Sequence, residues 1–177
     1  LFIAFIIFSS LFWIYMNHHF EQNKNFFQIN TRFIFIKILI FFIFLQIIIG
    51  AFVSGLNAGK LYQTWPLMNG SYFPSDNFVN NLFNFKDPSF VQFLHRNIAY
   101  LIFIISIYAG FFIYKNKFKE LYNSYITFIF FIGLQILLGI LVLFSNVDIY
   151  FASLHQISSI FLVVSSLNLY FRSIRSN

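Results

Sequence analysis

The chain has 177 residues, of which 59% are hydrophobic and 9% charged, with a mean hydropathy of +0.77. Soluble domains carry roughly a quarter charged residues, so that class is excluded and an integral membrane protein is implied. The formal charge of +6 is scattered over short loops and not gathered on one face, which argues against nucleic acid, and the absence of cysteine excludes disulfides and thiolate-held metals.

Uncharged runs cover 1–20, 38–59, 97–114, 121–147 and 149–171, each close to or above the ~18–20 residues a helix needs to cross hydrocarbon. Open strands are ruled out because backbone amides in lipid must be satisfied within their own segment or a closed barrel, and these runs lack barrel alternation. The reading is an all-α integral membrane protein with five predicted transmembrane helices, the last four forming a four-helix bundle. In chain order, 1–16 is a first transmembrane helix and 17–32 an inner loop carrying His18, His19, Glu21 and Lys24. The bundle spans 33–171, and 172–177 is an inner tail. Inside the bundle, the outer segment 55–89 opens at Gly55 and Gly59 and holds Pro66, Pro74 and Pro88. Loops of that length are functional or disordered, and its Tyr62, Trp65, Leu67, Met68, Tyr72 and Phe73 argue for a folded cap. Basic residues orient the whole: Lys24, Arg32, Lys37, Lys115, Lys117, Lys119, Arg172 and Arg175 fall on one side, which the positive-inside rule makes the inner one. The chain starts at Leu1 without an initiating Met or a signal-peptide pattern, so it reads as the remainder of something longer.

A short repeat joins two parts of the bundle. LQIIIG at 45–50 and LQILLG at 134–139 both lie in outward-running helices that precede a histidine-bearing inward helix. His95 and His155 lie near the outer starts of the third and fifth helices. An ionisable residue within a bilayer is costly and is a functional candidate by default. Matched depth on two helices is what bis-histidine ligation of a haem iron requires, and Ala99, Ala152, Ser158 and Ser159 leave room one turn away. The alternative is a pair of interface histidines with local hydrogen bonds. Two histidines without carboxylates or cysteines do not complete a zinc site. Arg96 either pairs with a haem propionate or snorkels towards lipid headgroups. Gln46, Gln92, Gln135 and Gln156 either hydrogen-bond between helices or orient an imidazole. His18 and His19 lie at the opposite face as solvated side chains.

The stretch GAFVSGLNAGKLYQTWPLMNGSYFP at 50–74 resembles the segment after the fifth transmembrane helix of heme A synthases, with its G-x-x-V-x-G-L-x-A-G run and Pro-Leu-Met. VQFLHRNIAYL at 91–101 is similar to that family's sixth-helix His-Arg motif, and LQILLG followed by SLHQ at 153–156 to its seventh and eighth helices. The resemblance implies an eight-helix oxidoreductase of two four-helix halves, which oxidises the C8 methyl of heme O to the formyl of heme A. It implies that this chain is the C-terminal half, with haem b on His95 and His155 and Arg96 beside it. The catalytic residues are then expected in the N-terminal half, absent here, and the chain alone is expected to be inactive. Heme O would be the substrate, with heme O synthase, cytochrome oxidase assembly proteins or a second copy as partners, and no nucleic acid. A bacterial plasma membrane is favoured over a mitochondrial inner membrane. Two other readings stay open: a bis-histidine haem b anchor of an electron-transfer complex, and a haem-free transporter or assembly factor.

Overall fold

The computed structural model describes residues 2–28, 30–74 and 83–174. Parts of the predicted cap (75–82) and of the predicted inner tail (175–177, with Arg175) lie outside the described residues. Five helices are long and apolar enough to cross a membrane: α1 Phe2–His19, α2 Ile34–Gly55, α3 Pro88–Lys115, α4 Tyr122–Phe144 and α5 Ile149–Ser173. The protein is an all-α membrane protein.

Both histidine-bearing helices begin on an aspartate. Asp87 accepts a hydrogen bond from the Ser89 amide and is followed by Pro88 at the first helical position, while Asp148 accepts from the Tyr150 and Phe151 amides. Such caps satisfy amides that the first turn leaves without partners and fix where the helix starts. Asn57 and Asn146 take left-handed backbone at the cap ends of α2 and α4, a conformation asparagine tolerates better than most residues.

Helices α2 and α3 form one antiparallel pair and α4 and α5 a second, tighter one. Further packing of α2 on α5 and of α3 on α4 closes a square, with α3 and α5 across its diagonal. At the α3–α4 edge Gly110 is required: a Cβ there would overlap the Tyr125 hydroxyl, which donates to the Ser106 carbonyl. Polar groups face inward, with Ser106, Ser124, Ser158, Ser165, Ser166 and Ser173 buried, while Phe41, Ile104, Phe111, Phe130 and Phe161 face out. That inversion of the soluble pattern suits hydrocarbon surroundings.

Helix α1 leans on α5. The segment after it is stitched down at the basic end: the Trp13 indole donates to the Lys24 carbonyl, Asn17 bonds Lys24 at both amide and carbonyl, and the Tyr170 hydroxyl donates to the Phe26 and Gln28 carbonyls. Burial in α5 is confined to Ser158 and beyond, so its turns nearest the cap lack the close packing of the basic end.

Candidate functional site

His95 is seven residues beyond the start of α3 and His155 six beyond that of α5, which at ~1.5 Å per residue puts both about 10 Å from their helix starts. Each imidazole rests on a glycine of its partner helix. A Cβ on Gly50 would come 3.3 Å from His95 Cε1 and 3.8 Å from its Nδ1, and one on Gly139 would come 3.3 Å from His155 Cε1 and 3.7 Å from its Nδ1. Four residues earlier, Gln46 donates to the His95 carbonyl at 2.9 Å and Gln135 to the His155 carbonyl at 3.0 Å. The Gln and Gly of the repeated LQ-x-x-x-G motif stand one helical turn apart on one face, so the repeat is a seat for a histidine, built twice. Of the glutamines considered in the sequence, these two hold backbone and no imidazole, Gln92 donates to the Tyr62 carbonyl at 2.9 Å, and Gln156 is exposed.

Neither ring hydrogen-bonds a described residue. Both Nδ1 atoms are fully buried without a partner, whereas the Nε2 atoms are not fully enclosed. Around His95 the Gln46 and Gln92 side-chain oxygens, Arg96 Nε and the Tyr100 hydroxyl are also buried and unpartnered. Buried polar groups are ordinarily paired, and such a concentration along the outer turns of α3 is chemically suited to a ligand that the protein is built around. No group of three or more His, Cys, Asp or Glu that could hold a bare metal ion occurs among the described residues. Two histidines with no third protein ligand among the described residues leave the remaining positions on a metal to be supplied by the ligand that carries it.

Arg96 neither snorkels nor points into lipid. It is 8% exposed, and its guanidinium donates to the Thr64 carbonyl at 2.9 Å, the Leu67 carbonyl at 3.4 Å and the Tyr62 carbonyl at 2.6 Å. Arg96 therefore anchors the cap, one residue from His95. The cap folds as expected from its aromatic residues: Tyr62 and Met68 are buried, Tyr72 bonds Asn97, and Phe73 stacks on Phe93. Its other edge reaches the α4–α5 turn, where Gln63 donates to Asn146 at 2.5 Å and Gly59 backs onto Val147. The cap thus spans from α3 to the start of α5, over the end of the bundle that carries both histidines. His18 and His19 are exposed at the far end.

Comparison with known proteins agrees with this architecture. A family profile described as cytochrome oxidase assembly protein, COX15-CtaA, matches residues 1–167. The chain belongs to this family. It is similar to the heme A synthase of Pelagibacter ubique (strain HTCC1062), 39% identical over 154 residues that cover 85% of this chain and 44% of that protein. It is also similar to the heme A synthases of Wolbachia sp. subsp. Brugia malayi (strain TRS), 34% identical over 86% of this chain and 45% of the relative, and Bartonella tribocorum, 40% identical over 63% and 32%. The chain thus spans under half the length of the curated relatives it matches. The match to the COX15-CtaA family takes in α1 to α4 and most of α5, including both histidine seats and the cap.

The sequence had marked the histidines, Arg96 and the repeat. It had not singled out Asp87 and Asp148 as the caps that set where α3 and α5 begin, although Asp-Pro-Ser at 87–89 carries the signal. Gly50 and Gly139, which close the repeated motif, lie directly against the imidazoles.

Proposed function

We propose that this chain is the cofactor-bearing part of a heme A synthase, an oxidoreductase that converts the C8 methyl of heme O to the formyl of heme A for cytochrome oxidase. His95 and His155 are the residues that would hold the iron of a haem b, their Nε2 atoms being the ones not fully enclosed. The observation that carries the reading is the duplicated seat: two unpartnered imidazoles, each on a glycine and each with its carbonyl held by a glutamine of the preceding helix. The names of the relatives supply the reaction and the substrate class.

When bound, the haem supplies a one-electron carrier. The protein's part is to fix both rings, keep them neutral in an apolar setting and limit water from the cap side. Gly50 and Gly139 let each ring approach the neighbouring backbone closely, and Gln46 and Gln135 lock the register of the ligand-bearing helix against its partner. Arg96 holds the cap beside the ligand through the Tyr62, Thr64 and Leu67 carbonyls, and its remaining buried Nε is the atom available to a haem carboxylate. No residue of this chain is assigned to oxidise substrate; its role is electron transfer or support of the cofactor. The setting that best fits the bacterial relatives is a bacterial plasma membrane, with heme O, heme O synthase and cytochrome oxidase assembly proteins as partners.

An optical redox spectrum of the purified protein tests this. The reading expects a six-coordinate low-spin haem b lost in both His95→Ala and His155→Ala. A colourless protein whose stability is unchanged in both variants overturns it and favours histidines that only tie helices together.

A further inference from the structure

At the end of the molecule opposite the cap, Phe20, Gln22, Lys24, Glu120, Phe171 and Arg172 line a cavity of about 200 Å³ that is open to one side. Its two cations rest on aromatic faces, carbonyls and amides, with no carboxylate among their partners in the described residues: Lys24 Nζ donates to the Phe171 carbonyl at 2.8 Å and lies 4.5 Å from the centre of the Phe171 ring, while the Arg172 guanidinium lies 5.4 Å from that of Phe20 and its Nε donates to Asn168. Lys24 is buried, at 8% exposure. Burial, and after it the charge of Arg172, hold the Lys24 amine below the ordinary lysine range. A buried amine and an exposed guanidinium of like charge thus stand together at the cavity, an arrangement that an anion between them relieves.

The size of the cavity narrows the anion. Pockets that enclose a whole small molecule hold ~300–1,000 Å³, so this one takes a headgroup whose remainder stays outside. It lies where α1 and α5 end, beside the turn that leads into α4, and Arg32, Lys37, Lys115, Lys117 and Lys119 belong to the same end of the chain. Basic pockets between transmembrane helices at such an interface suit anionic phospholipids. The rings of Phe20 and Phe171 give the first acyl carbons an apolar border.

We propose that this cavity is a binding site for the phosphate of an anionic glycerophospholipid, held between Lys24 and Arg172, with Glu120 on the rim keeping the phosphate on the Lys24 side. The site is distinct from the histidine pair, and its test does not depend on haem.

Native mass spectrometry of the purified protein from micelles carrying phosphatidylglycerol, phosphatidylcholine or inorganic phosphate decides it. The expected result is a retained phosphatidylglycerol adduct, with phosphatidylcholine and phosphate retained far less. Arg172 is exposed, so Arg172→Gln leaves the fold intact and lowers phosphatidylglycerol occupancy about fivefold, the worth of one basic contact near an anionic surface. Glu120→Gln raises occupancy, and Lys24→Met lowers it further where the variant folds. Equal retention of the two lipids, or undiminished retention in Arg172→Gln, overturns the site, and a phosphate adduct as persistent as the lipid's overturns its assignment to lipid.

Discussion

The two histidine seats use the same parts in unequal surroundings. In the α2–α3 pair the ligand helix is clamped from outside: Arg96 and Gln92 hold cap carbonyls, and Tyr72 of the cap bonds Asn97. In the α4–α5 pair no described residue of the cap makes an equivalent clamp on the first turns of α5, where Leu154, Gln156 and Ile157 are exposed, and compensation comes from within the helix pair. Gln135 there makes a second bond, to Ser158 Oγ at 2.6 Å, and Ser158 in turn donates to the His155 carbonyl at 3.1 Å. One imidazole is thus positioned by a roof and the other by a side-chain network. The difference teaches that the glycine–glutamine core of the seat is the common requirement, and what surrounds it is free to vary.

The largest break in the comparison comes from removing the roof. Arg96→Ala removes a charged donor from three cap carbonyls and leaves that of Thr64 without a described partner, whereas Tyr62 keeps Gln92 and Leu67 keeps the Thr64 hydroxyl. At about 1.5–3 kcal/mol for a hydrogen bond to a charged group, offset by the donors that remain, the loss of stability in detergent denaturation is roughly 2–4 kcal/mol. Rapid proteolysis within the cap accompanies it, and no single residue of the α4–α5 pair gives a similar loss. Arg96→Lys restores only part, because a lysine cannot reach several carbonyls in one plane.

Next in size are Gly50→Ala and Gly139→Ala. Each places a methyl 3.3 Å from an imidazole carbon, tight enough that the ring must shift, and overpacking of this kind costs about 1–3 kcal/mol. The two effects are expected to be alike, since both seats have the same geometry. Unequal losses, measured by denaturation, would show that the seats are not equivalent. Gly133→Ala, with nothing within 4 Å of the new methyl, is the neutral control.

The smallest effects sharpen the comparison. Gln46→Leu removes one bond to a histidine carbonyl, whereas Gln135→Leu also removes the bond to Ser158 Oγ, which keeps its own bond to the His155 carbonyl. At about 1 kcal/mol per hydrogen bond, Gln135→Leu is the costlier by roughly that amount, and Ser158→Ala lowers its cost when the two are combined. Additive losses in this double-mutant cycle would mean that the network does not act as a unit.

Much of this was legible in the sequence because membrane insertion is a strong constraint: five uncharged runs had to be helices, and the helices begin and end within a few residues of where those runs do, except that α3 starts at Pro88, well before the run at 97–114. The histidine pair was legible for the same reason, as ionisable groups stand out in apolar runs. What stayed hidden depends on who touches whom. Arg96 carries the same charge whether it faces lipid, a carboxylate or carbonyls, and only the folded cap shows that its partners are Tyr62, Thr64 and Leu67. Gly50 and Gly139 could equally have faced a helix backbone, as Gly133 faces open space. The cavity at Lys24 joins residues from the chain's start, middle and end, and no local pattern announces it.

The account's central claim is that two copies of one seat present His95 and His155 to a single haem iron. Electron paramagnetic resonance of the oxidised protein tests it most directly. The predicted result is a low-spin ferric signal of the bis-imidazole type, replaced by a high-spin signal or lost in His95→Ala and in His155→Ala alike. A low-spin signal that survives either substitution would contradict it.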